Sequence, residues 1–217
     1  MKVVEIFSSI DGEGKRSGLP TTFIRLFGCN LNCTYCDTHY GKDKEYEDWV
    51  KEMSIRDIID ECNRLRIPNI TITGGEPLIH EGIKDLIEAL CNLNFWVNVE
   101  TNGTIFPPIR HPNLFYTVDF KTNASGMSAT MNPDVFKTLD TEDVVKCVVG
   151  SEDDMVQSVE FLKTFGKHYK PEVYFSPVFG QIEPSQIVNF LLKNRLYNYK
   201  VQLQMHKYIW DKDMRGV

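Results

Sequence analysis

The sequence lacks the long apolar run of a transmembrane helix, because no stretch approaches the ~20 consecutive apolar residues that span a bilayer. It also lacks the pattern of a secretory signal peptide, since Glu5 interrupts a very short apolar run at the N-terminus. Basic residues are not in surplus: the formal net charge is -6, so no global field attracts nucleic acid or an anionic membrane. We therefore expect a cytoplasmic protein with neither a nucleic-acid nor a membrane partner.

A disulfide framework is also unexpected, because the chain has six cysteines and no secretory signal. Three of them lie in patterns of apolar residues. Cys62 follows Ile55 and Ile58 at helical spacing, Cys91 ends an amphipathic segment, and Cys147 alternates with valines. We interpret these three as small buried hydrophobic residues.

The rest of the composition is typical of a globular protein. The 217 residues are 42% hydrophobic and 25% charged, which is sufficient for one domain with a sizeable core. No repeat, low-complexity stretch or linker interrupts the chain. We expect residues 1–217 to form a single domain.

Short β-branched or aromatic runs alternate with helical patterns. The strand-like runs lie at about 2–7, 21–27, 69–73, 95–100, 114–120, 143–149, 172–176 and 199–204. The helical patterns lie at about 54–66, 80–93, 151–166 and 183–195. This order predicts an α/β fold with a mostly parallel sheet and covering helices. Such folds place their chemistry in the loops after the carboxyl ends of the strands, where polar and glycine residues recur here.

The most informative of these loops carries Cys29, Cys33 and Cys36 in a C-x3-C-x2-C spacing. A closed structural zinc site or an ordinary iron–sulfur cluster normally has four protein ligands. Three cysteines around a four-iron cluster would leave one iron open to a small molecule, which is the interpretation we favour. A zinc knuckle completed by His39, or an electron carrier with a fourth cysteine, remains an alternative.

A second loop, Gly74-Gly75-Glu76-Pro77, follows a predicted strand. Paired glycines let the backbone approach a ligand closely, and the adjacent carboxylate can bind an ammonium group. Alone, this loop would more simply be a tight strand-to-helix turn. Together, the cysteine loop and the glycine loop resemble the radical S-adenosylmethionine (SAM) superfamily, which implies a partial (β/α) barrel, a [4Fe–4S] cluster on Cys29, Cys33 and Cys36, and SAM as cofactor.

Further stretches are similar to one family within that superfamily, the 7-carboxy-7-deazaguanine synthases. They are residues 9–14, 22–25, 36–38, 100–103, 202–206, Trp210 and 215–217. This resemblance implies a lyase that converts 6-carboxy-5,6,7,8-tetrahydropterin to 7-carboxy-7-deazaguanine by radical ring contraction with loss of ammonia, in queuosine-type 7-deazapurine biosynthesis. It also implies assistance by Mg²⁺, a flavodoxin- or ferredoxin-type reductant, and a homodimer.

The resemblance implies three sets of site residues. The substrate contacts would be Ile10, Asp11, Gly12, Glu13, Arg25, Thr73 and Val217. The SAM contacts would be Tyr35, Gly74, Gly75, Glu76, Asn102, Asp119, Lys121, Ser176 and Pro177. Thr38 would bind Mg²⁺, a hard cation that prefers oxygen ligands.

Several of these roles make physical sense from the residue type. Arg25 can bind a carboxylate through two parallel hydrogen bonds. Asp11 departs from the glutamine common in the family, and an ionised carboxylate has no donor, so we expect the contact there through the backbone or through a changed pattern. His206 would either lock the C-terminal tail, which we favour, or line the pocket.

Two alternatives outside this family remain. A small radical SAM activase, which abstracts hydrogen from a glycine of a partner, would carry the same cysteine and glycine loops. An iron–sulfur or zinc binding module would need no substrate pocket.

Overall fold

The computed structural model describes residues 1–166, 168–211 and 214–217. Nine strands within these residues form one open sheet: β1 (Lys2–Ile10), β2 (Pro20–Leu26), β3 (Lys51–Glu52), β4 (Asn69–Gly74), β5 (Trp96–Thr101), β6 (Leu114–Phe120), β7 (Val144–Val149), β8 (Glu172–Pro177) and β9 (Tyr199–Val201). Their spatial order is β3-β1-β2-β4-β5-β6-β7-β8-β9. All pairs from β2 to β9 are parallel, whereas β1 is antiparallel to β2 and β3. The predicted α/β fold with a mostly parallel sheet, open like a partial barrel, is confirmed.

Helices connect the parallel strands. The α-helices within the described residues are α1 (Ile55–Leu65), α2 (Ile83–Asn92), α3 (Pro133–Lys137), α4 (Glu152–Lys163), α5 (Pro184–Lys193) and α6 (His206–Ile209). Short 3-10 helices occupy His39–Gly41, Lys44–Trp49, Pro77–Ile79, Asn123–Ser125 and Ser128–Thr130. None of the described helices is long and apolar enough to cross a membrane.

Helix α1 illustrates how local sequence fixes these boundaries. The Ser54 hydroxyl accepts a hydrogen bond from the Asp57 amide (3.2 Å), and the Asp57 carboxylate accepts one from the Ser54 amide (3.0 Å). This capping box satisfies backbone donors that would otherwise lack partners. The helix ends where Arg66 takes a left-handed conformation at φ 60°. The start predicted at Ser54 is confirmed.

Alternate residues of each strand lie on opposite faces of the sheet, and the two faces differ in chemistry. One face is apolar and belongs to the core, together with residues of the helices; its fully buried strand residues include Ile24, Ile72, Val99, Val118, Val145, Cys147 and Phe175. The other face carries Arg25, Thr73, Glu100, Asp119 and Lys146. Strand register aligns Arg25 with Thr73 and Asp119 with Lys146. Polar side chains from five strands therefore meet on the face opposite the apolar core.

The three isolated cysteines lie in the core, as predicted. Cys62, Cys91 and Cys147 are 0–1% exposed and free of disulfides. Burial raises the pKa of the Cys62 thiol to about 12, which keeps it protonated and unreactive.

Candidate active site

A cavity of about 680 Å³ opens at the carboxyl ends of the strands. The predicted site residues that border it are Ile10, Asp11, Gly12, Glu13, Arg25, Cys29, Cys33, Tyr35, Cys36, Thr38, Thr73, Gly74, Gly75, Asn102, Asp119, Lys121, Pro177 and Val217. The structure therefore brings the cysteine loop, the glycine loop and the N-terminal Ile10–Glu13 segment to one space. Two predicted contacts, Glu76 and Ser176, do not border it.

The three cysteines of the loop after β2 are free and half-buried. Burial raises the pKa of Cys33 and of Cys36, and the Lys121 ammonium opposes the shift at both thiols. Among the described residues, no group of three or more His, Cys, Asp or Glu side chains could hold a metal ion as it stands. The three thiols border the common cavity instead, and as thiolates they are the ligand type of an iron–sulfur cluster.

The two loops pack against each other through backbone atoms. The Glu76 amide donates to the Gly28 carbonyl (2.8 Å), and the Gly28 amide donates to the Gly41 carbonyl (2.8 Å). A Cβ added at Gly75 would collide with the Gly28 carbonyl oxygen and would come within 2.9 Å of the Cys29 Cβ. Glycine at position 75 is therefore required for the glycine loop to lie directly beside the cysteines.

The position of Glu76 differs from the expectation of a direct cofactor contact. Its carboxylate points into the protein and accepts hydrogen bonds from the amides of Leu78 (2.9 Å) and Asn102 (2.6 Å) and from the Thr101 hydroxyl (2.7 Å). These bonds tie the glycine loop to the end of β5. Ser176 differs in the same way, because its side chain is only 1% exposed beneath the cavity.

Asp11 is also engaged inside the protein. Its carboxylate accepts hydrogen bonds from Arg16 Nε (2.9 Å), Thr21 Oγ1 (3.0 Å) and Thr71 Oγ1 (2.8 Å). Burial raises the pKa of Asp11 although the Arg16 guanidinium opposes the shift. Because both carboxylate oxygens of Asp11 already accept hydrogen bonds, a ligand can contact this residue only through its backbone.

Arg25 borders the cavity beside the aromatic rings of Phe7 and Tyr40. Its Nε donates to Glu5 Oε1 (2.8 Å), and its guanidinium carbon lies 5.7 and 5.4 Å from the Phe7 and Tyr40 ring centroids. Its other guanidinium N–H groups donate to none of the described residues. They are available to an anionic ligand.

A layer of charged side chains forms the floor of the cavity. The Lys146 ammonium lies 3.3 Å from Glu13 Oε2 and 3.2 Å from Asp119 Oδ1, and Lys121 pairs with the other Asp119 oxygen at 2.8 Å. Burial opposes the charge on Lys146, but Asp119 and Glu13 outweigh it and raise its pKa. Sequence analysis missed Lys146. The sequence feature that could have identified Lys146 is its position as a lysine within an otherwise apolar strand, β7.

Glu100 is a second floor residue; the sequence analysis included it in the 100–103 stretch that resembles the family but assigned it no role. Its Oε2 accepts a hydrogen bond from the Thr73 hydroxyl (2.8 Å). Burial raises its pKa to about 7 against the opposing charge of Lys146. At neutral pH this carboxyl is therefore partly protonated, so it can donate or accept a proton inside the cavity.

At the mouth, the loop after the cysteines meets helix α6. Thr38 Oγ1 donates to Asp37 Oδ1 (3.2 Å), and Lys207 Nζ donates to Asp37 Oδ2 (2.7 Å). Desolvation at the cavity mouth opposes ionisation of Asp37, whose side chain is still 55% exposed, yet Lys207 holds its pKa below the usual range. Thr38 and Asp37 thus present neighbouring oxygens, the ligand type that Mg²⁺ prefers.

His206 both borders the cavity and packs against the N-terminal segment. A Cβ at Gly12 would collide with His206 Nδ1, and the amide of the adjacent Met205 donates to the Gly12 carbonyl (3.0 Å). Burial lowers the pKa of His206 although Glu13 opposes the shift, which favours a neutral imidazole. The His206 side chain therefore packs against the N-terminal segment at Gly12 and also forms part of the cavity wall.

The segment 214–217 covers the same mouth. The Arg215 guanidinium lies 4.1, 5.1 and 4.8 Å from the ring centroids of Tyr40, Tyr46 and Trp49. Such cation–π contacts are attractive, and three of them hold this segment against the 3-10 helices after the cysteine loop. Val217, two residues further on, borders the cavity.

Three buried polar atoms at the cavity accept or donate no hydrogen bond within the described part of the chain: Tyr35 OH, Glu13 Oε2 and Asp119 Oδ1. Glu13 Oε2 and Asp119 Oδ1 are partnered by charge, since the Lys146 ammonium lies 3.3 and 3.2 Å away. The side chains of Tyr35, Glu13 and Asp119 border the cavity, and such polar groups suit a ligand with its own donors and acceptors. SAM carries an ammonium, a carboxylate and ribose hydroxyls. Tyr35 and Asp119, beside the three thiols, therefore fit SAM on a cluster.

Comparisons with known proteins identify the family. The sequence model of the Radical SAM superfamily matches residues 23–112. The 7-carboxy-7-deazaguanine synthase of Clostridium acetobutylicum is 39% identical over 100% of this chain and 99% of its own length. That of Chlorobaculum tepidum is 34% identical, with 100% and 97% covered. The crystal structure of QueE from Escherichia coli superposes with a TM-score of 0.77 at 25% identity, over 94% of each chain. Sequence, fold and cavity together place this chain in the 7-carboxy-7-deazaguanine synthase family of the radical SAM superfamily.

Proposed function

We propose that this protein converts 6-carboxy-5,6,7,8-tetrahydropterin to 7-carboxy-7-deazaguanine by radical ring contraction with loss of ammonia, a lyase reaction of queuosine-type 7-deazapurine biosynthesis. One observation carries this proposal. A single cavity is bordered both by the three cysteines and by a polar layer suited to a flat, hydrogen-bonding bicycle with a carboxylate. We propose that residues 1–217 act as one domain in the cytoplasm, without nucleic-acid or membrane partners.

Membership of the radical SAM superfamily implies SAM and a [4Fe–4S] cluster as cofactors. Cys29, Cys33 and Cys36 would hold the cluster. When bound, the cluster and SAM supply a 5′-deoxyadenosyl radical. The protein binds, orients and shields these groups.

The SAM site would use residues on the cysteine side of the cavity. The contacting residues would be Tyr35, Gly74, Gly75, Asn102, Asp119, Lys121 and Pro177. Asn102 is held for this role, because its Nδ2 donates to Asn30 Oδ1 (2.8 Å) and its amide donates to Glu76. Glu76 and Ser176 would act from beneath, by fixing the loops that touch the cofactor.

The pterin would lie between the charged floor and the N-terminal segment. Arg25 would bind its carboxylate with the N–H groups that Glu5 leaves free. Glu13 would accept from the guanidine-like N–H groups of the ring, while the backbone of Ile10, Asp11 and Gly12 reads the ring edge. Thr73 and Val217 would complete the pocket.

We place Mg²⁺ at Thr38, with Asp37 as a neighbouring oxygen ligand. Mg²⁺ is normally held by few protein oxygens and completes its shell with water and substrate. The Asp37 carboxylate is ionised, as a ligand to Mg²⁺ must be, although Lys207 shares it.

Two partners complete the proposal. The cluster needs an electron donor, for which we propose a flavodoxin- or ferredoxin-type reductant. We also propose a homodimer, as the family resemblance implies. A glycyl-radical activase or a binding module would leave the polar layer on the cavity floor without a role.

The test is an anaerobic assay with the reconstituted cluster, SAM, Mg²⁺, a chemical reductant and the tetrahydropterin. We expect 7-carboxy-7-deazaguanine and ammonia, detected by mass spectrometry and an ammonia assay. A fully loaded protein that cleaves SAM but forms no deazaguanine would contradict the substrate assignment and favour another radical SAM activity.

A further inference from the structure

Lys146 lies between two carboxylates that the proposed function assigns to different ligands. Its ammonium is 3.3 Å from Glu13 Oε2, on the pterin side, and 3.2 Å from Asp119 Oδ1, on the SAM side. The Lys146 side chain is 9% exposed, and it borders the cavity at the floor. No other cation of the described residues lies within ion-pair distance of Glu13.

Each carboxylate has one further partner that the other lacks. Glu13 Oε1 accepts a hydrogen bond from Gln204 Nε2 (2.9 Å), and Asp119 Oδ2 accepts one from Lys121 Nζ (2.8 Å). The oxygens that face Lys146 are buried, and the ammonium holds them at ion-pair distance. Lys146 therefore holds both carboxylates from the buried side, while Glu13 and Asp119 still border the cavity with the rest of their side chains.

This sharing depends on both carboxylates being present. A buried ammonium needs a counter-charge, and losing one partner strengthens its pairing with the other. Without Glu13, Lys146 would close onto Asp119 Oδ1 and displace the Asp119 side chain on the cofactor side of the cavity. Without Asp119, it would close onto Glu13 Oε2 in the same way.

We propose that Lys146 is a positioning residue that serves both subsites and links them, because it keeps Glu13 ready for the pterin and Asp119 ready for SAM. This inference rests on the proposed function for the identity of the two ligands. A lysine that only neutralises buried charge would change stability, but it would not transmit a change at Glu13 to the cofactor site.

The first test measures binding of SAM and of the tetrahydropterin, each alone, to the anaerobically reconstituted holoprotein by titration calorimetry. We expect Lys146→Met to weaken both ligands by about fivefold or more, within the usual range for coupled sites. Two matched variants act on one side each: Lys121→Met should weaken SAM alone, and Gln204→Leu the pterin alone. An effect of Lys146→Met on one ligand only, or on neither, would overturn the proposal.

The second test does not require the pterin, and its first arm does not require a stable Lys146 variant. Glu13→Gln removes a charge on the substrate side, and we expect it to weaken SAM by about fivefold. In a Lys146→Met background the same change should leave SAM affinity unaltered. Unaltered SAM affinity in the single Glu13→Gln variant would refute the link. If the native holoprotein binds SAM but not the pterin, the proposed function fails, while this cofactor arm still decides the role of Lys146.

Discussion

The carboxylate of Asp11 and the guanidinium of Arg16 form an ion pair in the protein interior, with Arg16 Nε 2.9 Å from Asp11 Oδ2. Arg16 also donates to the carbonyls of Trp96 (2.6 Å) and Ile70 (2.9 Å), at the beginnings of β5 and β4. The pair thus anchors the N-terminal segment to the end of the sheet opposite the cavity. The backbone of Gly12 and Glu13 is therefore positioned by an ion pair of the preceding residue, Asp11, which itself borders the cavity.

Replacing Arg16 by Met should leave Asp11 as an unpaired buried charge. We expect the free energy of unfolding to fall by about 3 kcal/mol, measured by urea denaturation at neutral pH. Arg56→Met is the matched control, because this side chain is 90% exposed, and it should change stability by less than about 0.5 kcal/mol. Adding Asp11→Asn to Arg16→Met should restore part of the loss; equal effects of both arginine variants would contradict the role of the pair.

Gly75→Ala should disrupt the contact between the glycine and cysteine loops, because the new Cβ collides with the Gly28 carbonyl. We expect the iron content after anaerobic reconstitution to fall several-fold. Gly180→Ala is the control: it places a side chain at φ 77° with no atom within 4 Å, so it tests backbone strain alone. Iron content in Gly75→Ala equal to that of the control would show that the close approach is unnecessary.

Thr38→Ala should retain the cluster but lose the stimulation of turnover by Mg²⁺, because the hydroxyl proposed as a ligand is removed. Titration of activity with MgCl₂ measures this, and iron content checks the cluster. Thr34→Ala changes the same residue type in the same loop, but its hydroxyl donates to the Ala124 carbonyl (2.6 Å). Mg²⁺ stimulation that survives in Thr38→Ala would place the ion elsewhere.

Glu100 should make stability depend on pH. Its pKa in the folded state, about 7, lies above the ordinary 4.5, so the folded state binds its proton more tightly than the unfolded chain. The contribution of the protonated form is complete below about pH 4.5 and is lost as the pH rises towards 7. Urea unfolding at pH 5 and pH 7 should show a decline that is smaller by about 2 kcal/mol in Glu100→Gln. The same decline in both proteins would assign it to other groups.

Arg215→Gln should release segment 214–217 from its three aromatic neighbours. We expect the KM for the pterin to rise by about tenfold with a smaller change in kcat, and the fluorescence of Trp49 to shift. Arg215→Lys should raise the KM less than Arg215→Gln does, because an ammonium also binds ring faces. A change in kcat alone would argue against a role in closing the mouth.

The sequence predicted most of the sheet because its central strands are β-branched runs bounded by glycine and polar residues. It did not predict β3, whose two exposed residues Lys51 and Glu52 have no strand-like composition. Helix α3 was missed although Asn132 and Pro133 provide a start signal, because five residues are too few for a periodic pattern.

At the site, motif spacing predicted which loops meet, because parallel strands bring their carboxyl ends to one edge. It could not predict the direction of individual side chains. Glu76 follows the glycine pair as expected of a cofactor contact, yet the amides at the end of β5 draw its carboxylate inwards. Lys146 was missed because its partners, Glu13 and Asp119, are distant in sequence.

The alternation of the central strands has a consequence for altering this protein. Val145 and Cys147 lie in the core, whereas Lys146 between them faces the cavity. The same alternation applies at Thr73, Glu100 and Asp119, because each directly follows a buried apolar residue of its strand. Substitution at these alternate strand positions therefore changes the lining of the cavity and leaves the helix-packed face untouched.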